Sequence, residues 1–188
     1  METNTQDRIT LKNLKVADFA SEETLCLTAT VLFDGKPVAT ASNDGHGGST
    51  RLLALKGQRD RLSEAEAEAF AASLPPDVSE HVDPNDNACR FTIDMTLDYL
   101  VDGLANTMHA DRKLRSAFNR DIGNKVLFIK DGKLLFLKGI KLKAIVDRKA
   151  YFAALRSRRA QPIVILAELA PDEAFGLWKQ HVLGDKPD

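Results

Sequence analysis

Residues 41–51 read Ala-Ser-Asn-Asp-Gly-His-Gly-Gly-Ser-Thr-Arg, and they hold the densest chemistry in the chain. Asp44 and His46 flank Gly45, so together they could act as an acid/base pair. Gly45, Gly47 and Gly48 let the backbone turn through positive φ and present its N–H groups to an anion. Ser49 and Thr50 add hydroxyls, and Arg51 adds a charge. That inventory suits a phosphate or a nucleotide. The loop lacks the Gly-Lys-Ser/Thr ending of a P-loop and the G-x-G-x-x-G of a dinucleotide site. No nucleophile or orienting third residue stands beside Asp44 and His46, so no residue receives a catalytic role and no cofactor is specified. The competing reading is a turn between strands with His46 exposed, because glycine and asparagine favour turns for conformational reasons alone.

A second candidate is electrostatic. Residues 1–109 carry 9 basic and 18 acidic side chains, residues 110–160 carry 15 and 4, and residues 161–188 carry 2 and 5. The net charge of -1 therefore hides segments of -9, +11 and -3. Arg112, Lys113, Arg115, Lys141, Lys143, Arg156, Arg158 and Arg159 form a basic surface if the fold brings them together. Lys141 and Lys143 would share a face if that piece is a strand. The phenylalanines of this region sit in apolar patterns, which disfavours a base-stacking platform. The competing reading is that the basic segment pairs with an acidic partner or with the protein's own acidic half.

Other chemistry is weaker. Asp94, Asp98 and Asp102 recur at fours and would line one helix face, yet no further residue demands a metal, so none is assigned. His81 and His181 are isolated, and Trp178 at helical spacing from Phe175 reads as a packing anchor. Cys26 and Cys89 lack C-x-x-C spacing and read as reduced, partly buried thiols.

The elements that must position these groups follow from pattern. Residues 9–16 alternate apolar and polar with one slip of phase, as a strand with a bulge does. Residues 25–33 and 36–42 flank Asp34-Gly35 as a hairpin that delivers the glycine loop at its far end, and residues 50–55 suggest a fourth strand. Ser63 and Glu66 have capping-box spacing ahead of an alanine-rich helix over 65–74 that Pro75-Pro76 ends. Residues 77–87 read as a polar, flexible loop. A long helix starts near 90–92, carries the stripe Ile93, Leu97, Leu100, Val101, Leu104 and Met108, and either ends at about Met108 or continues, with a break, through Leu114 and Phe118 to Ile122. Residues 125–129 and 134–138 flank Asp131-Gly132 as a second hairpin, central and covered on both faces. A helix over 147–159, a buried strand over 162–167 and a helix over 171–181 complete the chain.

Interleaving without strict βαβ alternation predicts an α+β fold, a mainly antiparallel sheet built from two hairpins with three to four packed helices. The length of 188 residues fits one domain, 1–188, with a sub-boundary in the polar loop 75–89. The acid-bearing N-terminus is unlike a signal peptide, no apolar run approaches ~20 residues, and cysteine use is sparse. The expectation is a cytoplasmic protein with no membrane partner.

The order Ile9-Thr10-Leu11-Lys12-Asn13, Ser21-Glu22-Glu23-Thr24, Phe33-Asp34-Gly35-Lys36 and Ser42-Asn43-Asp44-Gly45-His46-Gly47-Gly48 resembles the start of small bacteriophage and bacterial mobile-element accessory proteins. The resemblance covers about the first quarter of the chain and carries no catalytic residue across. It implies a protein that acts by binding host machinery, nucleic acid or a nucleotide signal. The expected function is recognition of an anionic ligand, whether nucleotide or nucleic-acid phosphate, or of an acidic host protein, through a basic surface. The alternatives are a small phosphoester hydrolase or nuclease using Asp44 and His46 or the Asp94 and Asp98 carboxylates, and a self-associating virion or scaffold component, with a homo-oligomer as partner.

Overall fold

A computed structural model describes the backbone of residues 6–55, 58–83, 86–159 and 161–184, with side chains at all of these except 58–62, 79–83 and 86–90. The expectations for His81 and Cys89 therefore fall outside the described side chains. Contacts divide the chain into two compact units, Met1–His109 and Ala110–Asp188. The fold is α+β, with every strand pair antiparallel.

The first unit is built on four strands, β1 (Ile9–Val16), β2 (Leu27–Phe33), β3 (Lys36–Asn43) and β4 (Arg51–Ala54), in the order β1-β2-β3-β4. Asp34 at φ 49° and Gly35 at φ 76° make the tight turn that a two-residue hairpin needs. In β1 the slip of phase is a bulge: Lys12 pairs with Thr30 but Lys15 with Thr28, and Asn13 takes φ 53° to absorb the extra residue. The inward rows Leu11-Val31-Ala39-Ala54 and Ala29-Ala41-Leu52 meet α1 (Gln58–Ala72) and the start of α2 (Leu97–Asn124). Ala67 and Ala71 of α1 and Leu97, Val101 and Ala105 of α2 lie in the same buried cluster as these strands. Small residues on both helices let their backbones approach the sheet closely, and the larger Ile9, Val31 and Leu100 fill the space between.

Several expectations need correction here. Ser63 lies inside α1, which begins at Gln58, so the Ser63/Glu66 pair does not cap it. Residues 77–87 are not a loop: β5 (Asp77–Asp83) and β6 (Asp86–Ile93) form a separate two-stranded sheet. Their residues are largely polar, and that composition reads as loop when pairing is invisible. Because Ile93 pairs with Asp77, the helix cannot start at 90–92; it starts at Leu97, after Thr96, whose side-chain oxygen accepts from Tyr99 N. Ile93 is accordingly exposed in a strand, and Asp94 stands outside the helix.

The second unit carries β7 (Leu127–Lys130), β8 (Lys133–Phe136) and β9 (Val164–Ile165) in the order β8-β7-β9, with α3 (Arg148–Ser157) and α4 (Pro171–Gly184). Asp147 caps α3 by accepting from Ala150 N at 2.9 Å. Trp178 is the anchor its spacing suggested, with its ring 5.7 Å from Phe118 and 6.3 Å from Phe175. The second hairpin is not covered on both faces: β7 is central, whereas β8 is an edge on which Leu135 and Phe136 are exposed. Residues 162–167 form only a two-residue strand followed by a 3-10 turn, Leu166–Glu168. Lys141 and Lys143 do not share a strand face either, because Leu142–Ala144 is a 3-10 turn that Lys141 precedes.

Candidate functional site

The glycine loop folds onto the connection between β1 and β2. Gly45 is buried, and its carbonyl accepts from the backbone N–H groups of Glu22, Glu23 and Thr24 at 3.0, 3.0 and 3.3 Å. A Cβ at Gly45 would stand 2.0 Å from the Ala20 carbonyl oxygen, so the close approach requires glycine as much as the φ of 91° does. Thr24 Oγ1 and Gly45 N both donate to Asn43 Oδ1 at 2.9 Å, and Asn43 Nδ2 donates to Gly48 O and Thr50 Oγ1. His46 N donates to Asp44 Oδ1, and Gly47 N to Thr24 Oγ1. The backbone N–H groups of Gly45, His46 and Gly47 are thus engaged inside the loop. Glu23 Oε2 would lie 2.5 Å from a Cβ at Gly47, and exposed His46 Nδ1 is 3.3 Å from Glu22 Oε2. His46 is therefore partnered by Glu22 through its ring, and Asp44 meets its backbone N–H.

A different arrangement emerges on the outer face of the sheet. The registers align Lys15 with Thr28, Thr28 with Ser42, and Ser42 with Arg51, so one row crosses all four strands. Residues directly opposed in an antiparallel ladder point to the same face. The adjacent row is Lys12-Thr30-Thr40-Leu53, two residues along each of β2, β3 and β4. The bulge at Asn13 is what keeps Lys12 and Lys15, three apart in sequence, on one side. Three cations and four hydroxyls therefore share a face whose two rows hold no carboxylate. Lys15, Thr28, Ser42 and Arg51 line an open depression of about 560 Å³ at the loop end of the sheet, together with Asn43, Asp44, Gly47, Ser49 and Cys26.

Of the loop residues singled out by sequence, Asp44, Gly47, Ser49 and Arg51 reach this depression, whereas Gly45, His46 and Gly48 do not line it. Lys15, Thr28 and Ser42 were missed. Their signal is the alternation Thr28-x-Thr30 and Thr40-x-Ser42, which marks a wet sheet face, but only register joins it to Lys15 and Arg51.

The basic candidates all lie in the second unit and have varied fates. Arg115 bonds Asp172 at 3.1 Å and covers the Phe175 ring at 4.3 Å. Arg156 makes a two-pronged pair with Glu168, and Arg159 covers Phe128 at 4.7 Å. Those three are tied into their own unit. Arg112 and Lys113 are exposed on α2, while Lys141, Lys143 and Arg158 are exposed without an ion pair among the described residues. Among the described residues no group of three or more His, Cys, Asp or Glu could hold a metal ion, and no helix is long and apolar enough to cross a membrane. Comparison with protein-family models, curated proteins and solved structures finds no match.

Proposed function

We propose that this protein works by binding rather than by catalysis, as an accessory protein of a phage or mobile element, and that it holds a phosphate-bearing anion on the outer face of its first sheet. The observation that carries this reading is the cross-strand row Lys15-Thr28-Ser42-Arg51. A phosphate seated over that row meets a cation at each end and two hydroxyl donors between them. Charge-assisted hydrogen bonds of this kind are stronger than neutral ones. Lys12 extends the positive field along the face, in a unit whose net charge is -9, so attraction is local and selective rather than a general coating. The hydrolase alternative has less support, since Asp44 and His46 have no nucleophile positioned between them and His46 is held by Glu22.

The test is titration of the full chain with ATP and, separately, with a short single-stranded DNA oligonucleotide, followed by fluorescence anisotropy or calorimetry. A nucleotide site favours ATP, whereas a nucleic-acid site favours the oligonucleotide and weakens steeply with salt. Lys15→Ala combined with Arg51→Ala is expected to weaken whichever ligand binds by about tenfold or more, equivalent to about 1.4 kcal/mol. Because both side chains are exposed, the thermal midpoint should hold. Unchanged affinity in the double variant, or no binding of either probe, would remove the sheet face from the function.

A further inference from the structure

Beside the loop, the 3-10 turn Asp18–Ala20 presents Phe19 to solvent at 94% exposure. An aromatic this open normally sits on a loose segment, but this turn is held from several directions. Ala20 N bonds Ala17 O, Ser21 Oγ bonds Ala17 O and receives Cys26 N, and Gly45 O takes three N–H groups from residues 22–24. Asp18 is paired with His109 at 2.9 Å. The turn's backbone is thus bonded on several sides while the large apolar side chain that it carries stays in water, which exposes apolar surface and gains no internal packing. Close to it in sequence are the exposed acids Asp18, Glu22 and Glu23.

The second unit contains a surface of the opposite kind. An open groove of about 490 Å³ runs along the segment before α3, lined by Gly139, Ile140, Ala144, Ile145, Val146 and Tyr151, together with Lys141 and Asp147. Val146 is fully exposed and Ile140 is partly so. Lys138, Lys141, Lys143, Arg148 and Lys149 are exposed in and beside this segment. Its carboxylate, Asp147, serves the end of α3 by accepting from Ala150 N.

We infer that the groove of one copy receives Phe19 of a second copy, so that the acidic turn of one chain docks on the basic segment of another. The fit is chemical on both counts: an aromatic anchor for an apolar groove, and an acidic rim for a basic one. An exposed Phe removes roughly 150–250 Å² from water when it docks, and complementary rim charges speed encounter and fix orientation. Because donor and acceptor are different surfaces, the contact is heterologous, and copies add until a ring or a reciprocal pair closes. This inference is independent of the anion-binding reading, since none of Lys15, Thr28, Ser42 and Arg51 takes part.

The experiment is sedimentation velocity of the full chain over a wide concentration range, with the variants Phe19→Ala and Val146→Asp. Both replaced side chains are exposed, so circular dichroism and the thermal midpoint should match the parent. The parent is expected to gain mass with concentration at ~0.1 M salt and to lose it at ~1 M, where the screening length falls from about 10 Å to about 3 Å. Each variant alone should need at least about tenfold more protein to associate. The two variants mixed should form a one-to-one complex, because one retains the groove and the other retains the phenylalanine. A parent that stays monomeric throughout, association unaffected by either substitution, or a mixture no better than its components would each overturn the inference. Val146→Asp carries the decisive arm if Phe19→Ala disturbs its turn.

Discussion

Thr50 is 3% exposed, and its hydroxyl is shared between two polar side chains, donating to Asp102 Oδ1 and accepting from Asn43 Nδ2 at 3.3 Å. That contact draws a carboxylate of α2 against the base of the glycine loop. Burial pushes the Asp102 carboxyl above the usual carboxylate range, the hydrogen bond from Thr50 offsets part of that, and the nearby Asp98 charge adds to the rise. The native state therefore holds more protons than the unfolded chain between the ordinary carboxylate value and the raised native one. The group's favourable contribution is full below the ordinary value and is lost as pH rises through the raised native one. Asp102→Asn, which can still accept from Thr50, should remove that slope and be no less stable than the parent at neutral pH. Urea unfolding of both proteins from acid to neutral pH checks it, and a stability difference that stays constant with pH would refute it. The same cluster makes Gly45 the position least able to carry a side chain. Gly45→Ala should lower stability by about 3 kcal/mol or more, from the strained φ and the clash with the Ala20 carbonyl. Gly48→Ala, where φ is also positive but no atom lies within 4 Å of the added carbon, should lower it by only about 1–2 kcal/mol.

At the scale of elements, the proposed site depends on one irregularity. Were this segment regularly extended, with no bulge at Asn13, the three-residue spacing would put Lys12 and Lys15 on opposite faces of β1. Asn tolerates the left-handed φ that this bulge requires, whereas a β-branched residue does not. Asn13→Val should therefore lower stability by about 1–2 kcal/mol in the same urea series. Deleting Asn13 altogether leaves two-residue spacing, which keeps Lys15 opposite Thr28, so anion binding should persist. Binding abolished by the deletion in a folded protein would mean that the bulge shapes the site beyond setting its phase. The β5–β6 pair shows the complementary lesson. Its largely polar residues carry little hydrophobic alternation, so nothing local announces the two strands.

Over the whole molecule, charge and compactness divide at the same place. Met1–His109 holds 9 basic and 18 acidic residues, and Ala110–Asp188 holds 17 and 9, giving -9 and +8. Opposite net charges on two units of one chain favour association between copies at low salt and suppress it at high salt. The concentration and salt series described above reads that whole-molecule property directly.

What the sequence determined by itself was whatever depends on neighbours along the chain. The Asp34-Gly35 and Asp131-Gly132 turns, the slip of phase in β1, the apolar stripe of α2 from Leu97 onward and the charge division all arise from local backbone preference or from simple counting. The glycine loop was visible as chemistry, but its partners were not. Only the tertiary structure showed that Asn43, Thr24 and Thr50 consume its polar groups, and that strand register aligns Lys15 with Arg51 across 36 positions of sequence. Side-chain direction in a strand is local, but the identity of the residue opposite depends on long-range pairing. Phe19 makes the same point: an aromatic in sequence implies burial, and only the geometry of the turn leaves it in water.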